Sequence, residues 1–180
     1  MLGSRATIRY AKALFELARD ENKLEQIQAD LNTLQEALYR SPDLQQVLES
    51  PIIPKGDKAD LLNQLFRDRV SELTMRFLQL LVEKNRESLL GFIIQRFGEL
   101  LDDYQGILRG KLISAYAFTP EQRKALKTRL DKITGKNVLL EEEIDPQLLG
   151  GFVVRIKDTI IDVSLKNQLL KLRERLVSVE

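Results

Sequence analysis

The chain has 180 residues, with 28 basic and 27 acidic side chains for a formal net charge of +1; 43% of its residues are hydrophobic and 31% charged. That balance fits a globular protein of one large or two small domains with a real core. Cysteine, histidine and tryptophan are absent, which excludes disulfides, thiolate chemistry, imidazole acid–base catalysis and any Cys/His metal site. The 33 leucines lean the chain toward helix. The near-zero net charge argues against a generic nucleic-acid binder. No apolar run approaches the ~20 residues that span a bilayer. Met1-Leu2-Gly3-Ser4-Arg5 leads straight into an amphipathic segment with no secretory or Arg/Ser-rich leader. The expectation is a protein that works where it is made, or a mature chain, meeting a membrane only through a partner.

Two halves are expected, 1–105 and 106–180, joined by a short linker from Gly106 to Gly110. The first holds 14 basic and 17 acidic residues, the second 14 and 10. The first half reads as a six-helix bundle. Helix one runs from a Ser4 cap to Asp20. Helix two, about 22–40, carries the seam Leu24, Ile27, Leu31, Leu34 and Leu38. Ser41-Pro42 ends it and starts a short helix over 42–49. Helices follow over about 55–67, 70–84 and 86–104, with loops short enough for antiparallel neighbours.

The second half reads as a small α+β domain of order β-α-β-β-β-α, a sheet covered by two helices. Lys111–Ala117 alternates as a strand. Thr119-Pro120-Glu121-Gln122 is a helix start with cap, first-turn proline and reciprocal glutamine. Strands are expected over Val138–Ile144, Phe152–Lys157 and Ile160–Val163, with a tight turn at Asp158-Thr159. Ser164 caps a last helix with the apolar face Leu165, Leu169, Leu172 and Leu176.

Helices one and five are apolar around roughly 220°, against the ~100–140° a surface helix needs. In helix one Ile8, Ala11, Leu14, Phe15 and Ala18 form one arc, extended by Tyr10, Ala13 and Leu17. In helix five Leu73, Phe77, Leu80 and Leu81 form one side, and Met75, Leu78 and Val82 continue around. Either both helices are central and covered by their siblings, or their outer sides form a groove for a partner's amphipathic helix. About 105 residues leave little room to bury two helices fully, which favours the partner.

Candidates for chemistry have plainer readings. Glu141-Glu142-Glu143 lies in a strand, where alternate side chains diverge. Gly150-Gly151 lacks the Gly-Lys-Ser/Thr of a phosphate loop and reads as a backbone requirement at a strand start. Asp158 reads as a turn former, and Asp162 as an acceptor for backbone donors at the last helix. Lys166, Lys171, Arg173 and Arg175 suit a solvated helix end more than phosphate contacts. No active site emerges.

Three stretches carry a family resemblance. Gly150-Gly151-Phe152-Val153-Val154-Arg155-Ile156-Lys157-Asp158-Thr159-Ile160-Ile161-Asp162-Val163-Ser164-Leu165 and the leucine-rich helix after it resemble the signature of the delta subunit of F-type ATP synthase, equivalent to the mitochondrial oligomycin-sensitivity-conferring protein. Arg9-Tyr10-Ala11-Lys12-Ala13-Leu14-Phe15 is similar to that family's opening helix, and Asn85-Arg86-Glu87-Ser88-Leu89-Leu90 to its link between helices five and six. The resemblance implies a non-catalytic stator subunit without cofactor or metal. Its first domain would hold the N-terminal helix of an alpha subunit between helices one and five, and its second the C-terminus of the b-type peripheral stalk. The groove residues expected are Tyr10, Ala13, Leu14, Leu17, Met75, Leu78 and Val82, with Tyr10, Ala13, Leu17, Leu78 and Val82 at or near the surface. Gly150, Gly151, Asp158, Asp162 and Ser164 are the structural signature. Missing leader and missing cysteines favour a bacterial-type complex on the cytoplasmic membrane face. Gly91 and Gly98 in helix six suggest close helix packing. The competing class is a nucleic-acid-associated adaptor using the basic last helix.

Overall fold

The computed structural model describes residues 4–177, with side chains to residue 174. Arg175 and Leu176 of the expected last-helix faces, and the opening Met1-Leu2-Gly3, therefore lie outside the described residues or side chains. The described chain is mostly helical with one small sheet. It divides into two compact units, Met1–Leu101 and Asp102–Glu180.

The first unit carries α1 (Arg5–Asp20), α2 (Leu24–Arg40), α3 (Pro42–Glu49), α4 (Lys55–Phe66), α5 (Glu72–Glu83) and α6 (Leu90–Gln105), with a single 3-10 turn over Glu87–Leu89 before α6. Local chemistry sets the starts. Ser4, Ser41 and Ser71 each turn a side-chain oxygen onto a backbone N–H three residues on, at Thr7, Leu44 and Thr74. One apolar core joins the helices. It includes Ala11, Leu14, Phe15, Ile27, Leu31, Leu34, Leu62, Phe66, Leu78, Leu81, Ile93 and Phe97, with Phe15 and Phe97 edge to face at 5.8 Å.

Two buried polar groups tie this core together. Asp30 Oδ2 accepts from Ser71 N–H at 2.8 Å, Ser71 Oγ at 2.5 Å and Thr74 Oγ1 at 2.7 Å, pinning α2 to the start of α5. Lys58 Nζ donates to Leu48 O at 3.1 Å and to Glu87 Oε1 at 2.5 Å, linking α3, α4 and the 3-10 turn. Buried charges persist only when paired and hydrogen-bonded, so both groups specify how the helices meet.

The glycines of α6 are a correction. A Cβ added at Gly91 or Gly98 would meet nothing within 4 Å, so they are not contacts between close-packed helices. Helix-interior glycine is less stable than alanine by roughly 0.5–1 kcal/mol. Gly91→Ala and Gly98→Ala are each expected to stabilise the protein by about that amount, read as a raised midpoint in thermal unfolding.

The second unit carries β1 (Ile107–Ser114), α7 (Pro120–Thr134), β2 (Asn137–Ile144), a 3-10 turn at Pro146–Leu148, β3 (Phe152–Ile156), β4 (Thr159–Asp162) and α8 (Leu165–Val177). The sheet order is β2-β1-β3-β4. β1 pairs parallel with β2, Leu112 opposite Glu142, and antiparallel with β3, Leu112 opposite Val154. The parallel pair requires a crossover, which α7 supplies. Thr119 and Gln122 start α7 with the reciprocal cap that their spacing predicts. Leu126 and Leu130 of α7 cover the face built from Leu108, Leu112, Val138, Val154 and Ile156.

Four expectations need correcting here. The boundary falls at 101/102 and not 105/106, because the last turn of α6 belongs to the second unit: Asp102 pairs with Arg109, and Asp103 accepts from Lys157 at 2.8 Å. No linker runs from Gly106 to Gly110. Gly106, at φ +69°, turns the chain directly from helix into strand, so β1 starts four residues before the expected Lys111. Gly110 sits inside that strand, where a Cβ would come within 2.8 Å of Arg155 O. The hairpin turn is Lys157-Asp158, with Lys157 at φ 50°, and Thr159 is already strand. Lastly, α8 does not cover the sheet: Leu165, Leu169 and Leu172 stay 48%, 57% and 54% exposed.

Candidate functional site

The phase of α1 decides which half of its broad apolar arc is available. Thr7, Ala11, Leu14, Phe15 and Ala18 are buried. Tyr10 is half-buried, Ala13 exposed and Leu17 46% exposed. With Ala6 these three recur at i, i+4, i+7 and i+11, a continuous strip beside the core.

In α5 the phase is set by the Asp30 clamp on Ser71 and Thr74. It turns Thr74, Phe77, Leu78, Leu81 and Val82 inward. Leu78 and Val82 are 1% and 2% exposed and Leu14 is 2% exposed, so these three are core residues rather than surface ones. Met75 is half-buried against the same core. The outer apolar position of α5 is Leu80, 39% exposed, while Leu73, like Met75, is half-buried against the core. Sequence reasoning placed Leu80 on the wrong side. A helix apolar through ~220° offers two phases, and only the buried Thr74 hinted at the right one.

Tyr10 is within electrostatic reach of Lys84 at the end of α5. Glu21 and Lys23, just after α1, share a shallow cleft with Ser71, Leu73 and Arg76 at the start of α5. The two helices thus run in opposite directions. The rim is charged. Arg9 lies 5.5 Å from the Tyr10 ring centroid. Glu83 sits below the usual carboxylate range because Lys84 bonds to it, and Lys84 is raised by the same contact. An apolar floor with a charged rim suits an amphipathic helix.

The signature residues of the second unit form one cluster, Asp158 excepted. Gly151, at φ +73°, has no room for a Cβ: Val163 O would lie 2.2 Å away. Leu165 N–H donates to Gly150 O, and Val163 N–H to Phe152 O, both at 2.9 Å. Asp162 Oδ1 accepts from Ser164 N–H at 2.9 Å and Ser164 Oγ at 2.7 Å. Ser164 Oγ accepts in turn from Asn167 N–H at 3.3 Å, which caps α8. This arrangement aims α8; it is not a reaction centre. Asp158 occupies the β3–β4 turn, apart from this cluster.

The hydrogen bonds from Ser164 hold the Asp162 carboxyl below its ordinary range. A folded-state value below the unfolded one contributes stability that is present above about pH 4 and lost as the pH falls through the folded value. Ser164→Ala is expected to cost ~1 kcal/mol near neutral pH and to reduce the acid sensitivity of the second unit. Urea unfolding at two pH values reads both effects. Equal loss at both pH values would mean that Ser164 acts through the cap alone.

The other chemical candidates follow the strand geometry. Glu142 meets Arg123 of α7 on one face of β2, and Glu143 approaches Lys111 at 4.0 Å on the other. Among the described residues no group of three or more His, Cys, Asp or Glu side chains is placed to hold a metal ion. Lys166, Lys171 and Arg173 are exposed on α8 beside its exposed leucines.

Over residues 6–176 the chain matches the family described as ATP synthase delta (OSCP) subunit. It is 40% identical over 173 residues to the ATP synthase subunit delta of Chlorobaculum tepidum, covering 96% of each chain. It is 38% identical to that of Carboxydothermus hydrogenoformans, covering 92% of this chain and 93% of the relative. In fold it resembles a chain of the Toxoplasma gondii mitochondrial ATP synthase hexamer, with TM-score 0.71 at 23% identity, covering 97% of this chain and 98% of that one. The chain belongs to the ATP synthase delta (OSCP) subunit family, and is a non-catalytic stator component of the peripheral stalk of F-type ATP synthase.

Proposed function

We propose that the six-helix unit holds the N-terminal helix of an alpha subunit of the catalytic head along α1 and α5, and that the second unit holds the C-terminal end of the b-type peripheral stalk. Rotor torque is then resisted through this chain while protons drive the rotor. The observation that carries the reading is the apolar strip of Tyr10, Ala13 and Leu17 along α1, with Leu80 exposed on α5. Leu14, Met75, Leu78 and Val82 support that surface from beneath. For the stalk, the exposed Leu165, Leu169, Leu170 and Leu172 of α8 supply an apolar face that the second unit does not itself cover. Leu169 and Leu172 are three apart, a spacing suited to another helix. Membrane association comes only through the complex, on the cytoplasmic face of the cell membrane, and neither nucleic acid nor cofactor takes part.

The test is calorimetry of the full chain against the alpha-subunit N-terminal peptide and, separately, a stalk C-terminal peptide. Ala13→Glu places a charge on an exposed position of the apolar strip. It is expected to weaken alpha-peptide binding by ~2 kcal/mol or more, with the thermal midpoint nearly unchanged and stalk binding intact. A variant that melts early and loses both peptides would show that Ala13 supports the fold instead. Binding to generic RNA that falls steeply with salt would favour the nucleic-acid adaptor.

A further inference from the structure

The charges of α8 are placed around its exposed leucines in a pattern that the second unit itself does not use. At ~100° per residue, Leu165, Leu169 and Leu172 fall within a stripe of about 60°, and Leu170 lies about 100° beyond its edge. Lys166 and Arg173 fall in the gap, within ~20° of each other and about 10 Å apart along the axis. Both are exposed, like the four leucines. Glu174, the one acidic residue of α8, lies on the back of the helix, roughly 170° from the middle of the stripe.

Nothing within the second unit accounts for this row. Lys171, on another side of α8, lies in the field of Asp162. Among the described residues neither Lys166 nor Arg173 has an acidic partner. Arg173 stands toward the C-terminal end of α8, where the helix dipole favours a cation, but Lys166 does not. It is the second residue after the Ser164 cap, at the end where the dipole favours an anion, and the first turn of α8 holds no acidic residue. Lys166 therefore works against its own helix.

The row decides what can cover the leucines. A helix laid over the stripe and Leu170 together also covers Lys166 and Arg173. Taking two unpaired cations out of water is costly unless the covering surface supplies anions. A second copy of α8 would bring the same cations to the contact. A nucleic-acid backbone would meet the cations and leave the leucines unused.

We propose that α8 selects an acidic partner: the helix that lies on its leucines carries aspartate or glutamate residues two turns apart beside its own apolar stripe, paired with Lys166 and Arg173. The inference rests on the stalk reading for the source of that helix, and adds the chemistry by which α8 recognises it.

Three designed helical peptides serve as probes. They share one leucine stripe and differ at two flanking positions seven residues apart, which hold glutamate, glutamine or lysine. Each is titrated into the full-length, nitrogen-15-labelled protein at about 50 mM and about 500 mM salt, followed by calorimetry and amide chemical shifts. At the lower salt the glutamate peptide is expected to bind about 10-fold tighter than the glutamine peptide, and the lysine peptide weakest. Most of that advantage should vanish at the higher salt. Shifts should gather on α8. The double variant Lys166→Gln/Arg173→Gln changes only exposed side chains. It should erase the preference for glutamate and leave the alpha peptide's affinity unchanged.

Equal affinity of the glutamate and glutamine peptides, binding by neither, a preference that survives the double variant, or shifts away from α8 would each overturn the proposal. So would generic RNA that binds through Lys166 and Arg173 and is not displaced by the glutamate peptide. The stalk C-terminal peptide separates this proposal from the reading it rests on. Stalk-peptide binding that ignores the double variant keeps the stalk contact and overturns the charge selection. A stalk peptide that fails to bind, beside a clear preference for glutamate, removes the stalk as the source and keeps the acidic partner.

Discussion

Gly151→Val is expected to destabilise the second unit by at least ~3 kcal/mol. Two costs add at one position. The backbone sits at φ +73°, which a β-branched residue adopts only under strain. The new Cβ would lie 2.2 Å from Val163 O and 3.1 Å from Ser164 Cα, all backbone atoms that a rotamer change cannot move. Gly150→Ala is the informative contrast. Its Cβ would meet the tip of Leu165 at 2.6 Å, a flexible side chain that can turn away, so the loss should be much smaller. Denaturant unfolding of the full chain, followed by circular dichroism, separates the two. Because Gly151 docks the chain against the start of α8, the valine variant should also lose the stalk peptide while keeping the alpha peptide. An active-site role would instead leave stability and both contacts unchanged.

Lys58→Met should cost about 3–5 kcal/mol in the first unit. Lys58 is 3% exposed, and its ammonium serves both Glu87 and the carbonyl of Leu48. Methionine roughly preserves the length of the side chain but strands a buried carboxylate and a buried carbonyl together. The double variant Lys58→Met/Glu87→Leu removes the stranded charge, and much of the lost stability should return. A single-variant loss under ~1 kcal/mol in urea unfolding would mean that water reaches the pair.

The two families of surface differ in how they are built. On α1 and α5 the exposed apolar strip borders a filled core, so its residues can change charge with little effect on folding. On α8 the leucines stand away from the sheet, because Gly150, Gly151 and the Asp162–Ser164 bonds direct the helix elsewhere. The same signature residues thus set the second unit's stability and the presentation of its apolar helix.

Element positions were legible in the sequence because their causes are local. Ser4, Ser41, Thr119 and Ser164 satisfy nearby N–H groups in any context, and the helical seams and alternating strands need only their own periodicity. The chemistry of Gly151, Asp162 and Ser164 was legible for the same reason: a turn, a cap and a strand start lie within a few residues of one another. The phase of α5 was not. An arc of ~220° leaves two halves equally fit for the core, and the choice rests on Asp30, forty-one residues before Ser71 in the chain, reaching across from α2. That long-range contact buried Leu78 and Val82 and exposed Leu80. Strand order, the early start of β1 and the exposure of α8 likewise depend on which distant backbone each segment meets, as do the empty spaces beside Gly91 and Gly98. By itself the sequence determined the helix and strand inventory, the caps and the family; the tertiary structure alone decided which apolar faces are spent in the core and which stay exposed, because burial depends on neighbours that only folding brings together.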